Sequence, residues 1–266
     1  IAPEYIWFRR GVSWNLITSY EKFAVRLLRD SDTFNLAAPS VFFDDDDMTT
    51  YVLGFMNSKV AEVGIRMLNP TLNTNIGDIM AQPLVYEKDM AIKRVNPLIN
   101  TCISLSKEDW DSFETSWDFQ IHPLVRLMSF SKEERELDAK HHIVDMNYIK
   151  EAFTNWRNEC YLRFQKLKEN EENLNQIFIE IYGLQEELTA EVDEKDVTVR
   201  KADLQRDIRS FISYAVGCMF GRYSLDVPGL AYAGGEWDAT KYTTFKPDED
   251  AIIPICDDEY FDDDIV

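Results

Sequence analysis

The stretch that organises the chain runs from residue 51 to residue 83, YVLGFMNSKVAEVGIRMLNPTLNTNIGDIMAQP. Val52, Leu53, Met56, Val60, Val63, Ile65 and Leu68 recur at intervals of three and four, which predicts one apolar face of a helix. Asn69-Pro70 stops it, because proline disfavours helical geometry in the residue before it. Asn73, Thr74 and Asn75 then form a polar loop, Gly77-Asp78 turns the chain, and Ile79 opens a short apolar run expected as a strand ending at Pro83. A polar loop held between packed elements suits recognition better than catalysis.

Upstream, the apolar positions read as short strands: Tyr5–Phe8, Trp14–Ile17, Phe23–Leu28 and Phe34–Phe43. Asp44 to Asp47 reads as a solvated turn that caps the next helix. Downstream the period changes to helical. Residues 85–104 form a helix that Pro97 interrupts or restarts. Residues 106–118 carry Trp110, Phe113 and Trp117 at helical spacing, an aromatic stripe expected in a core. The longest pattern, 146–188, is either one helix or an antiparallel hairpin, with a polar gap at 168–173. Residues 203–221 form a further amphipathic helix, and residues 222–237 a loop rich in Gly and Tyr. The fold expected is α+β. A small N-terminal α/β module (1–86) is followed by a mainly α-helical region with an acidic end (87–266).

The 266 residues carry a net charge of −20, which argues against a polyanion partner until the distribution is considered. Residues 1–100 hold 10 Lys+Arg against 12 Asp+Glu, whereas residues 236–266 alone hold 11 acidic and 2 basic groups. Any contact with nucleic acid is therefore expected in the N-terminal third. The four scattered cysteines form no C-x-x-C pair and read as free thiols in a reducing cytoplasm. No apolar run approaches the roughly 20 residues a membrane span needs. Ile1 is no initiator and the chain stops inside an acidic run, so a piece of a longer protein is expected.

Catalytic signatures are missing from the sequence. It has no Walker lysine motif, no G-x-S-x-G and no H-E-x-x-H. Asn69-Pro70-Thr71-Leu72 and Asn96-Pro97-Leu98-Ile99 lack the second proline and the aromatic of the Asn-Pro-Pro-aromatic motif of amino-methyltransferases. No catalytic residue, bound cofactor or metal is expected. Consecutive aspartates at 44–47 point in different directions, and adjacent His141 and His142, with Asp145, lack a third imidazole or thiolate at ligand spacing.

Four blocks, NSKVAEVGIRMLNPTLNTNIGDI, SKEDWDSFETSWDFQIHPL, KENEENLNQIFIEIYGLQEELT and FISYAVGCMFGRYSLDVPGLAYAGGEWD, resemble in order the adenine-specific DNA methyltransferases of BREX phage defence, the PglX family. The resemblance implies a parent enzyme that transfers a methyl group from S-adenosylmethionine to adenine N6 in a defined DNA site. It implies that this piece follows the catalytic domain, in the target-recognition and helical spacer region. Gly11-Val12-Ser13-Trp14-Asn15 departs from the Gly-turn and Trp-Ser order of those proteins, which leaves the DNA site open. On this reading Arg9, Arg10, Lys22 and Arg26 face phosphates or guanine edges, and Asn73 and Asn75 pair with an adenine edge. Trp14 either packs on the DNA or fills the core, the core being the role expected. The partners implied are double-stranded DNA, the catalytic domain of the same protein and other defence-system proteins. The alternative is a protein-interaction scaffold that binds defence components or a phage inhibitor through its acidic helices.

Overall fold

The computed structural model describes residues 4–17, 22–128 and 146–247, with side chains from 148 onward in the last segment. It divides into two compact units: residues 1–107 with 162–199, and residues 108–161 with 200–266. The division departs from the 86/87 boundary expected from composition, because residues 162–199 return to pack in the first unit.

The first unit is built on a three-stranded antiparallel sheet of order β2-β1-β3. β1 is Gly11–Trp14, β2 is Val25–Leu28 and β3 is Ser40–Val41. Ser13 pairs with Arg26 on one side and Ser40 on the other. Strands expected at 5–8 and 34–43 are otherwise turns and a short 3-10 helix at Glu4–Ile6, since aromatic residues stack here without strand partners, Trp7 on Phe34 at 4.9 Å.

Against the sheet lie α1 (Asp46–Met56) and α2 (Lys59–Leu68), where the sequence pattern predicts a single helix. The break has a local cause. The Asn57 carboxamide donates to the carbonyls of Val25 (3.0 Å) and Leu53 (2.9 Å) and accepts from the Val25 amide, so it serves the sheet rather than the helix. Ser58 then caps α2, its hydroxyl accepting from the Ala61 amide. The aspartate run acts as expected, with Asp45 capping α1. Ile79 lies in a short helix, α3 (Ile76–Met80), not in a strand. Asn75 and Asp78 form a capping box that starts a helical turn there.

A helical turn at Lys88–Met90 and a π-turn at Ala91–Val95 lead into α4 (Asn96–Asp111), with Pro97 in its first turn where no backbone donor is lost. α4 ends seven residues short of the expected helix. Of its aromatic stripe only Phe113 is buried, while Trp117 is fully exposed. The core of this unit gathers Val12 and Trp14 from the sheet, Tyr51 and Phe55 from α1, Ala61 and Ile65 from α2, and Phe178 from a long helix. Each such side chain stabilises the fold by about 1.5–3 kcal/mol when fully buried.

A short helix α5 (Pro123–Leu127) precedes that long helix, α6 (Met146–Tyr182). It is continuous through the polar stretch at 168–173, which resolves the two sequence readings in favour of one helix. The chain leaves helical geometry at Gly183, whose φ is +67°. α7 (Leu204–Met219) is capped by Asp203. The second unit packs Trp156 of α6 with Phe113 and Leu124, and Phe119 with Tyr214, Cys218 and Tyr223. The Trp156 indole donates at 3.0 Å to the buried Asp207 carboxylate, which also accepts from Arg206 at 2.7 Å. Cys102, Cys160 and Cys218 are free thiols, and Cys256 lies outside the described residues. Among the described residues no helix is long and apolar enough to cross a membrane.

Candidate functional site

Three loop segments converge beyond the end of β1. The Leu16 amide donates to the Ala37 carbonyl at 3.0 Å, and the Thr74 amide donates to the Leu16 carbonyl at 2.8 Å. Ile17 and Asn73 form an antiparallel bridge, so residues 16–17 are sandwiched between the 35–38 turn and the 69–75 loop. Trp14 fixes this arrangement. Its ring is 2% exposed, and its indole nitrogen donates to the Thr74 carbonyl at 2.9 Å.

Each loop is stiffened by its own asparagine. The Asn35 carboxamide oxygen accepts from the amides of Ala37 and Ala38. The Asn69 carboxamide donates to the Asn73 carbonyl at 2.7 Å and to the Asp78 carboxylate at 2.8 Å, and accepts from Thr71. Its bond to Asp78, reinforced by the Asn75 amide, holds that carboxyl below the usual carboxylate range. Asn69-Pro70 is thus more than a helix stop. Its side chain is the clamp that shapes the loop.

The side chains named from the sequence have different fates here. Arg9 donates to the Phe43 carbonyl at 3.1 Å and pairs with Asp44 at 3.0 Å. Arg10 donates to the Thr50 hydroxyl at 3.0 Å and lies 4.0 Å from Asp46. Lys22 pairs with Asp196 at 3.1 Å. All three therefore face carboxylates of their own unit. Arg26 is different: its guanidinium donates to the neutral carboxamide oxygen of Asn15 at 2.6 Å and is exposed. Asn75 begins α3 as the N-terminal member of the capping box, its amide donating to Asp78 at 2.8 Å. Asn73 uses its backbone in the loop, and its carboxamide is exposed.

Arg26 and Asn73 thus each attach to the 15–17 segment, the first through Asn15 and the second through the Ile17 bridge, with Leu36 on the turn bonded to Leu16 and Leu72 beside Asn73 in the chain. Ile17 (66%), Leu36 (91%) and Leu72 (60%) stand out in solvent. Periodicity does not reveal this grouping, because it depends on a bridge between Ile17 and Asn73, which are far apart in the chain. Chemically the surface combines a guanidinium, carboxamides and aliphatic tips, a set suited to base edges. Among the described residues no group of three or more His, Cys, Asp or Glu is placed to hold a metal. His141, His142 and Asp145 lie outside the described residues.

No family model matches the sequence. Among curated proteins, the chain is 43% identical over 258 residues to the adenine-specific methyltransferase PglX of Lacticaseibacillus casei (strain Zhang), an alignment covering 97% of the chain. The chain is thus similar, along nearly its whole length, to a segment of that adenine-specific methyltransferase. A second relative, the adenine-specific methyltransferase BrxX of Escherichia coli O9:H4 (strain HS), is 29% identical over 284 residues and 98% of the chain. The chain spans about one fifth of both relatives, 20% of PglX and 22% of BrxX.

The fold bears on the methyl donor that PglX-type enzymes imply. The three-stranded antiparallel sheet offers no parallel strand–glycine turn–helix unit. The glycines at 229, 234 and 235, all with positive φ, sit in a loop after α7 rather than after a strand. Among the described residues no such unit is present to hold S-adenosylmethionine.

Proposed function

We propose that this segment recognises double-stranded DNA on behalf of an adenine-specific PglX-type methyltransferase whose S-adenosylmethionine site lies elsewhere in the polypeptide. The observation that carries this reading is the attachment of two exposed polar side chains to the 15–17 segment, Arg26 through Asn15 and Asn73 through the Ile17 bridge, beside the Trp14–Thr74 bond. The recognition surface belongs to the first unit, residues 1–107 with 162–199, and the helical remainder of the chain holds it relative to the catalytic domain. Arg26 contacts a phosphate or a guanine edge, and Asn73 reads a base. Arg9, Arg10, Lys22 and Asn75 act mainly as framework, because their partners lie within the fold.

Salt dependence tests this division of labour. Each neutralised phosphate contributes about −0.9 to the slope of log affinity against log salt. Binding of the 266-residue chain to duplex DNA through Arg26 alone gives a slope near −1 by this rule, which Arg26→Ala flattens. A slope near −4, by the same rule, would mean that Arg9, Arg10 and Lys22 exchange their carboxylates for phosphates. Absence of any duplex binding overturns the proposal.

A second reading, a protein-docking scaffold for other defence components, draws on a specific surface in the second unit. Ile212, Val216 and Phe220 stand at intervals of four on an exposed face of α7 and its end. Capture of a purified defence component by the chain, lost on Ile212→Ser with Val216→Ser, together with no affinity for DNA, would favour it.

A further inference from the structure

We propose that Ile17 and Asn73 together read a single A·T pair in the major groove, the carboxamide on the adenine and the aliphatic tip on the thymine methyl. This rests on the recognition reading above and adds its base chemistry.

The argument begins with the bridge between the two residues. Ile17 and Asn73 are directly opposed in an antiparallel pair. Cross-strand partners project to the same face with Cβ atoms about 4.5–5.5 Å apart. An A·T pair offers on its major-groove edge the N7 acceptor and N6 donor of adenine and, past the thymine O4, the C5-methyl of thymine. A carboxamide donates to the first and accepts from the second, and an aliphatic side chain packs on the methyl. No other base pair presents a carboxamide-compatible edge next to a methyl group in this order.

Exposure supports the same assignment. Ile17 is 66% exposed, so most of its side chain is open to a partner. The backbone on both sides is nevertheless fixed, by Leu16 bonding Ala37 and Thr74 and by Asn69 clamping the Asn73 carbonyl. The two readers are therefore held in place before contact, so little ordering entropy is lost on binding. Arg26, which bonds Asn15 two residues before Ile17, supplies a phosphate or guanine contact. Leu162, as exposed as Ile17 at 66% but on α6, serves as an internal control.

The test uses the full 266-residue chain and two pools of duplex DNA with a randomised core, one made with thymine and the other with uracil in its place. The pools differ only by the C5-methyl. The expected result is an enriched motif with a fixed A·T position in the thymine pool, and affinity for that motif reduced roughly 4-fold by uracil at this position. Ile17→Ser abolishes the thymine-over-uracil preference, Asn73→Ala lets the A·T position drift, and Leu162→Ser leaves both unchanged. Circular dichroism checks that each variant is folded. Equal affinity for thymine and uracil duplexes overturns this inference and leaves the recognition reading standing. No binding to either pool overturns both.

Discussion

Trp14 does two jobs with one side chain. Its ring fills the core beneath the sheet, and its indole N–H holds the Thr74 carbonyl, and with it the 69–75 loop. These roles separate on substitution. Trp14→Phe keeps most of the apolar volume but leaves a buried carbonyl without its donor, which costs about 1–3 kcal/mol. Trp14→Ala also opens a cavity and costs about 3–5 kcal/mol. Urea unfolding reads both as a lower midpoint with an unchanged slope. The phenylalanine variant carries a further expectation: amide exchange at Asn73 and Thr74 accelerates more than in α1. Uniform acceleration throughout the unit would show that the indole bond does not hold the loop.

At the scale of elements, β1 is the narrowest part of the design. A Cβ on Gly11 would meet the Val41 carbonyl at 2.7 Å and the Phe42 ring at 2.8 Å. The carbonyl belongs to backbone and cannot swing away. Gly11→Ala is therefore expected to cost about 1–3 kcal/mol by overpacking, even though alanine normally suits a strand better than glycine. Loss of β1–β3 pairing, seen as exposure of the Val12 and Val41 amides to exchange, would accompany it, and an unchanged urea midpoint would refute the steric argument. The same strand shows where sequence reading works and where it stops. The Asp45 cap, the apolar face of α1 and the periodicity of α6 and α7 are local signals within a few residues, and each is legible in the chain. The Asn57 break is not, because its cause is Val25, 32 residues away in sequence. Ile79 reads as the start of a strand until Asn75 and Asp78 are seen as a capping pair. Arg9 and Arg10 look available for a polyanion in a sequence, since nothing in a string of letters reveals that Asp44, Asp46 and Thr50 fold onto them. Asn73 was visible as a polar loop residue, whereas its partner Ile17 was visible only as part of a strand.

At the scale of the whole molecule, two buried titratable groups give the two units different responses to pH. In the second unit, burial pushes the His122 imidazole from 6.5 down to about 4, against the opposing pull of Asp207. Below pH 6.5 the unfolded chain takes up a proton that the folded unit refuses, so this contribution to stability is complete above 6.5 and fades as pH falls toward 4. In the first unit, burial raises the Glu171 carboxyl from 4.5 to about 7, with Asp196 and Glu172 adding and Lys22 opposing. Here the folded unit keeps a proton that the unfolded chain releases, so stability is complete below 4.5 and is lost by about pH 7. Each effect is on the order of 2 kcal/mol. Hydrogen exchange, corrected for intrinsic rates, separates them by peptide. Between pH 8 and pH 5, segments around Phe113 and Leu124 should lose protection, while those around Phe164 and Phe178 should gain it. His122→Asn retains a capping acceptor for the Leu124 amide, which His122 Nδ1 holds at 3.2 Å, and should remove the first response only. Glu171→Gln keeps the shape without the charge and should remove the second only. If both units gained or lost protection together, and neither variant altered its own unit, the stability of the chain would be governed by its −20 net charge rather than by these two groups.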